Sequence, residues 1–425
     1  MQTNLVKDTS STVGKLQVQL TSQIETILEK SPRHIEFKTV AVQLTTRSLA
    51  IEPTKSEGVN LVGFARGVLG LGEDIRMATM ACQRASMPVA VIDAPIPGPV
   101  KEDDTLNALL VKNLTYSMSV FFLPPQEMIR LAIQGGANLI NSNAYNIGAW
   151  PWELPNWPSA FNQVHELVDE IWAQSRFVGS VFQRVTDKPV TYMPMAVAIP
   201  TPLNYSRDRF TFPKSNFLFF MMFDGNSWLS RKNPLAGVQA FIKAFPPNTS
   251  GVGLVIKAMN INIVDSQWQA LLNLVDNDPR VFIVNNKMHR QDSIDLMACC
   301  DAYISLHRSE GFGRVIAEAM LLGKPTIATN FSGNVDFCNS ATSYLVDGEL
   351  VPLRKGDYIF YEDQYWCDPD VTIASEKMLQ LFEDKSGRDR IALAGQHHIK
   401  SYHSITAVAC AYAARFGEIQ SNFER

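Results

Sequence analysis

In the second half of the chain, short apolar runs alternate with helix-length stretches at near-regular intervals. The runs are residues 218–223, 253–257, 281–285, 302–306 and 326–329, and the helical candidates between them are 234–245, 266–275, 292–299 and 314–322. Strand–helix–strand repetition builds a parallel sheet covered by helices, because two parallel strands need a long crossover between them. The first half repeats the alternation less evenly, with runs at 60–65, 89–94, 114–120, 138–140 and 190–196 and helical candidates at 73–84 and 160–171. Between the halves, Ile199-Pro200-Thr201-Pro202 opens a polar stretch that ends near Pro213 and has the composition of a linker. The chain is therefore expected to be an α/β protein of two Rossmann-like, doubly wound domains, 55–205 and 206–398, facing across a cleft. Ligands of such sheets sit at the carboxyl ends of the strands. Residues 1–54 form a polar extension with one helical candidate at 15–30, and a helix over 399–416 either ends the second domain or returns to brace the first.

Composition narrows the function. The 425 residues exceed what one hydrophobic core serves, and 46% hydrophobic with 19% charged residues is an ordinary globular balance. A net charge of -4 without a basic block excludes general attraction to nucleic acid. The densest apolar run, 217–223, is far shorter than the ~20 residues of a membrane-spanning helix, so no span is expected. Contact with a membrane surface stays open. The opening residues lack a basic-then-apolar leader, which gives a cytoplasmic expectation. The 6 cysteines form no CxxC pair and the 7 histidines no HExxH, so reduced thiols and no bound metal are expected.

The sharpest segment runs from Ser305 to Met320 and contains Glu310-Gly311-Phe312-Gly313-Arg314, then Glu318. A strand ends near Leu306, the glycines let backbone amides approach a ligand, and a helix starts near Arg314. Unpaired N–H groups at that helix start suit a sugar diphosphate. Glu318 lies a turn further in, within reach of ribose hydroxyls, and Glu310 would face a hexose. The plain alternative is two solvated acids flanking a turn. The segment resembles the E-x7-E signature of glycosyltransferase family 4, including Glu310, the interval to Glu318, Ala319-Met320 and Gly323-Lys324-Pro325.

The resemblance implies the GT-B fold, with Glu310 on the donor sugar and Glu318 on the ribose. Upstream, Arg231-Lys232-Asn233-Pro234 puts two cations at a helix start, where they oppose the dipole unless an anion is bound. The stretch resembles the family's phosphate loop, which makes Lys232, then Arg231, the diphosphate ligands. The arginine that many members carry after the first strand of this domain is replaced by Phe223-Asp224; Arg231 and Arg308 are both candidates for its role. Ser332, Gly333 and Asn334 form another loop at a strand end, near the sugar and phosphates in the family. Met288-His289 resembles the position beside the base, with Lys257 and residues 285–289 nearby. These residues leave uracil and guanine unseparated.

In the first half, Gly67, Gly70 and Gly72 precede Glu73 in a loop that fails the GxGxxG pattern of a dinucleotide site. It resembles instead the G-L-G-E loop of a polysaccharide-making subset of family 4, beside the interdomain cleft. Trp150-Pro151-Trp152-Glu153 and Ser175-Arg176-Phe177 resemble two further stretches of that subset. The tryptophans either stack on an acceptor sugar, with Glu153 binding hydroxyls, or pack a core. Asn141–Tyr145 carries no histidine where many members have one, so Glu153 or Trp152 would fill that space, and His165 is expected to be structural.

Together these features imply a retaining, metal-independent transfer of a hexose or deoxyhexose. The donor is a UDP-, GDP- or dTDP-sugar, the acceptor a glycan or glycolipid in polysaccharide, lipopolysaccharide or exopolysaccharide assembly, and no cofactor is needed. Glu310, Lys232 and Glu153 are the catalytic candidates. The rivals are an epimerase or phosphorylase of the same fold and a non-catalytic sugar-binding protein.

Overall fold

A computed structural model describes residues 57–96 and 103–423; the extension at 1–54 and its helical candidate at 15–30 lie outside them. The first sheet contains β1 (Val59–Gly63), β2 (Val89–Asp93), β3 (Met118–Phe122), β4 (Tyr145–Ala149), β5 (Glu170–Ala173) and β6 (Val190–Tyr192). All pairs are parallel, in the order β2-β1-β3-β4-β5-β6. Helices α1 (Gly70–Arg84) and α2 (Arg176–Phe182) follow β1 and β5. Residues 193–206 contain no helix or strand and carry the chain to the second sheet.

That sheet contains β7 (Phe217–Asp224), β8 (Val252–Met259), β9 (Val281–Asn285), β10 (Ala302–Ser305), β11 (Thr326–Thr329) and β12 (Tyr344–Val346). It is also wholly parallel, ordered β12-β11-β10-β7-β8-β9. Strand order reverses between β1 and β3 in one sheet and between β7 and β10 in the other. At such a point the crossover helices diverge to opposite faces and leave a crevice at the carboxyl ends. Helices α3 (Pro234–Ala244), α4 (Arg290–Cys299) and α5 (Arg314–Leu321) line that edge. The apolar run of β7, Phe-Leu-Phe-Phe-Met-Met-Phe, is largely buried because both faces of the sheet are covered.

Two segments tie the halves together. An antiparallel hairpin, β13 (Gly348–Pro352) and β14 (Tyr365–Pro369), sends Leu353, Tyr358 and Trp366 into the core beneath the first sheet. The final helix, α6 (Ile405–Phe423), packs on α1 and covers Trp172 of β5 with Tyr412 and Phe416 at ring distances of 5.0 and 5.2 Å. Arg415 of α6 clamps the fully buried Glu170 carboxylate through Nε and Nη2, at 2.9 and 2.7 Å.

Several expected elements differ. Residues 138–140 are one helical turn (Ala137–Ile140), and the strand is β4 instead; a three-residue apolar run carries no period that separates the two. The helix expected at 160–171 is a set of 3-10 turns over Ser159–Leu167 followed by β5. Glu170 of that strand is buried, and its cationic partner arrives from α6. The strand expected at 114–120 starts at Met118, and the one at 190–196 stops at Tyr192, two residues before Pro194. The helix expected at 399–416 is two, Lys385–Tyr402 and α6. They break at His403, whose carbonyl accepts from Val197 N at 2.7 Å and whose ring packs on Phe312 and Phe337.

Candidate functional site

A cleft of about 300 Å³ opens where the two switch points face one another. Leu69, Gly70, Glu73 and Arg76 line it from the first sheet's side; Asp224, Lys232, Glu310, Gly313 and Glu318 line it from the second. Its floor is apolar, with Met221, Met222, Met259 and Met288. A hydrophobic floor with a few convergent charges fits a small polar ligand that has one flat or apolar part.

Glu310 lies in the loop after β10, and the loop after β11 holds its backbone on both sides. Glu310 N donates to Ser332 Oγ, and Gly333 N donates to Glu310 O, each at 2.8 Å. A Cβ on Gly333 would lie 1.9 Å from Gly311 O, so only glycine lets the two loops touch. His307 sits between Ser305 Oγ and Asn334 Oδ1, 3.0 Å from each. Gly313, at φ 94°, turns the chain into α5. Ser332, Gly333 and Asn334 are thus brought to Glu310 and shape its loop, while the cleft wall is made by others. Phe312 is buried between Phe337 and His403, and Gly311 packs on Trp152 O and Gln174.

The Glu310 carboxylate pairs with Lys232 Nζ and, at 3.2 Å, with Arg231 Nη1. Arg231 also donates to Ser309 O at 3.0 Å and lies 5.5 Å over the Tyr358 ring. Burial favours the neutral acid at Glu310, but Lys232 and then Arg231 overcome it and hold its pKa down to about 2. A depressed carboxylate pKa contributes stability that is complete above the ordinary value of 4.5 and is lost as pH falls through about 2. Wild-type melting temperature should therefore drop more steeply between pH 4.5 and 2 than that of Glu310→Gln. Parallel slopes in thermal melts across that window would remove the ion-pair assignment.

Glu318 is 1% exposed, and both its oxygens face Arg290, at 2.6 Å from Nη2 and 3.1 Å from Nη1. Arg290 also reaches Glu73 of α1 at 3.4 Å. One residue along, Arg314 Nε donates to Asp74 at 3.0 Å. The first turn of α1 is thus docked between the starts of α4 and α5, with an arginine on each. Sequence reasoning passed over Arg290 and Asp74; each adjoins a chosen residue, His289 and Glu73, which was the available signal.

The first-half candidates divide. Gly70 and Glu73 face the cleft, whereas Gly72 serves packing, since a Cβ there would lie 2.0 Å from Gly67 O. Trp150 and Trp152 correct the stacking expectation: they are 0% and 4% exposed and offer no face to a sugar. Trp150 donates Nε1–H to Met128 Sδ and stacks on His165; Trp152 packs on Trp157 and Phe360. Glu153 lies outside the cleft lining and accepts from Tyr358 Oη at 3.2 Å. His289, the expected base neighbour, is exposed and outside the lining, which takes Met288 and Arg290 instead. Lys257 is spent on the carbonyls of Ala258 and Asn286. Ser175 Oγ caps α2 and donates to Gly311 O at 2.6 Å, joining the two halves. Arg308 pairs with Asp368 at 2.7 Å, so of Arg231 and Arg308 only Arg231 pairs with Glu310.

Among the described residues no three His, Cys, Asp or Glu side chains group as metal ligands, and no helix is long and apolar enough to cross a membrane. The cysteines are free thiols, and only Cys410 is exposed.

Residues 230–352 match the model of the family described as glycosyl transferases group 1. A 157-residue stretch is 25% identical to the capsular polysaccharide biosynthesis glycosyltransferase CapM of Staphylococcus aureus; the match spans 36% of this chain and 36% of that protein. Among solved structures, Anabaena HepE in complex with UDP and glucose aligns with TM-score 0.64 at 14% identity, over 85% of this chain and all of its own. A sucrose-phosphate synthase from Thermosynechococcus elongatus aligns at 0.60 and 13% identity, over 86% of this chain and 100% of that one. A glycosyltransferase from Rickettsia africae aligns at 0.60 and 16%, over 86% and 99%. These likenesses show the fold: two Rossmann-like domains facing across a cleft, the GT-B arrangement.

Proposed function

We propose that the chain is a retaining glycosyltransferase of family 4 type, moving a hexose or deoxyhexose from a nucleotide sugar to a glycan or glycolipid. The observation that carries this reading is the convergence of Glu310, Lys232 and Arg231 at the carboxyl ends of β7 and β10, beside two helix starts. Cationic groups and helix-end N–H groups around one cleft hold a diphosphate and stabilise it as it departs. Glu310, kept ionised by those cations, offers acceptor oxygens to sugar hydroxyls. The apolar floor suits a base, and Glu318 the ribose. HepE and CapM, by their names, involve UDP with glucose and capsular polysaccharide respectively, which supports a sugar nucleotide and a cell-surface glycan here.

In the retaining reaction the bond between the anomeric carbon and the leaving phosphate oxygen breaks. The acceptor oxygen bonds to that carbon from the same face, and its proton passes to the departing phosphate. The positive charges supplied by this chain lower the barrier without an ion beside the phosphates. Purified protein in EDTA, given UDP-, GDP- and dTDP-sugars with candidate acceptors, should release nucleotide only when an acceptor is present. NMR of the product should show the donor's own anomeric configuration. An inverted product would remove the family 4 assignment, and nucleotide release without acceptor would favour a hydrolase or epimerase of the same fold.

A further inference from the structure

Asn233 lies between Lys232 and Pro234, at the entry to α3. Asparagine before a helix ordinarily turns its side-chain oxygen onto the N–H groups of the first turn. Asn233 makes no such bond, and its backbone is left-handed, at φ 50° and ψ 49°. The residue is 5% exposed and lines the cleft, yet its Nδ2 has no hydrogen-bond partner among the described residues. A buried N–H left without an acceptor is costly, so a ligand oxygen is the natural counterpart. Around it cations outnumber acids: Lys232 and Arg231 precede it against the single carboxylate of Glu310 that pairs with both, and the first N–H groups of a helix such as α3 have no partner within it. Such a setting selects a charged oxygen over a sugar hydroxyl.

We propose that Asn233 is a further binding residue of the donor site, its Nδ2–H donating to a non-bridging oxygen of the sugar-proximal phosphate. This deepens the reading of the cleft as a nucleotide-sugar site and rests on it. The bond strengthens as the phosphate leaves, since negative charge grows on the oxygen it meets. The residue before Pro234 thereby belongs to the phosphate cradle and not to helix capping.

Its backbone supplies a clean variant. Glycine accepts the left-handed conformation and costs little at a helix entry, so Asn233→Gly removes the amide and keeps the turn. Asn233→Asp keeps the shape and replaces the donor by a carboxylate. Calorimetry would compare UDP, GDP and dTDP, each with its monophosphate, on wild type and both variants, with thermal melts as the folding control. For whichever nucleotide binds wild type, Asn233→Gly should weaken the diphosphate about tenfold and Asn233→Asp further, leaving the monophosphate within about twofold. Unchanged diphosphate affinity in folded Asn233→Gly would overturn the assignment, as would equal losses on mono- and diphosphate. If wild type binds none of the three diphosphates, the nucleotide-sugar reading itself falls.

Discussion

Replacing Lys232 by alanine is expected to lower the transfer rate by roughly 100- to 1,000-fold, the usual effect of removing one preorganised charge from a site where charge develops. Two consequences of the geometry point the same way. The leaving diphosphate loses a cation in a cleft walled by the second domain, where little solvent screens the loss. Glu310 also loses its closest partner, so a carboxylate held only by Arg231 then stands beside the phosphates. Arginine should restore little, because its planar fork does not reproduce a compact ammonium wedged against Glu310. Steady-state kinetics on folded Lys232→Ala checks this. A loss below about tenfold in kcat/KM would mean that the diphosphate lies elsewhere in the cleft.

Trp150→Ala should cost about 3–5 kcal/mol, the price of deleting a large buried aromatic. Trp150 is fully buried beside Phe182, at 5.8 Å between ring centres, and Gly148 leaves it room: a Cβ there would lie 2.5 Å from the indole. The vacated space would be walled by His165, Phe182 and Met128. For a domain of this size the melting temperature should fall by about 10 °C or more. Below that temperature the acceptor KM should be unchanged. A raised acceptor KM with an unaltered melt would instead put the indole at the sugar.

The second sheet's side of the cleft was legible in part, where its residues are close neighbours in sequence. Glu310, Gly311, Gly313 and Glu318 fall on one strand–loop–helix unit, where spacing fixes which side chains share an edge. Arg231 and Lys232 belong to an earlier unit, β7 to α3, that borders the same switch point. The rest depended on partners that the chain brings from far away. The buried acid Glu170 takes its cationic partner, Arg415, from the returning α6, and Glu318 faces an arginine from α4 that no local pattern announces. Trp150 and Trp152 look like loop tryptophans beside a proline, and become core because Trp157 and the hairpin residue Phe360 pack on Trp152 while His165 and Phe182 pack on Trp150. Strand limits near 118 and 192 moved because a register set by neighbouring strands, and a proline, outweighed local apolarity.

The most direct test is calorimetric titration of UDP, GDP and dTDP, in EDTA, into wild type and Glu318→Ala. If the cleft is a nucleotide-sugar site with Glu318 on the ribose, one of the three binds wild type, and Glu318→Ala weakens it by about 1.5–3 kcal/mol, the loss of a charged hydrogen-bond partner. Binding by none of them, or equal affinity in folded Glu318→Ala, would contradict it.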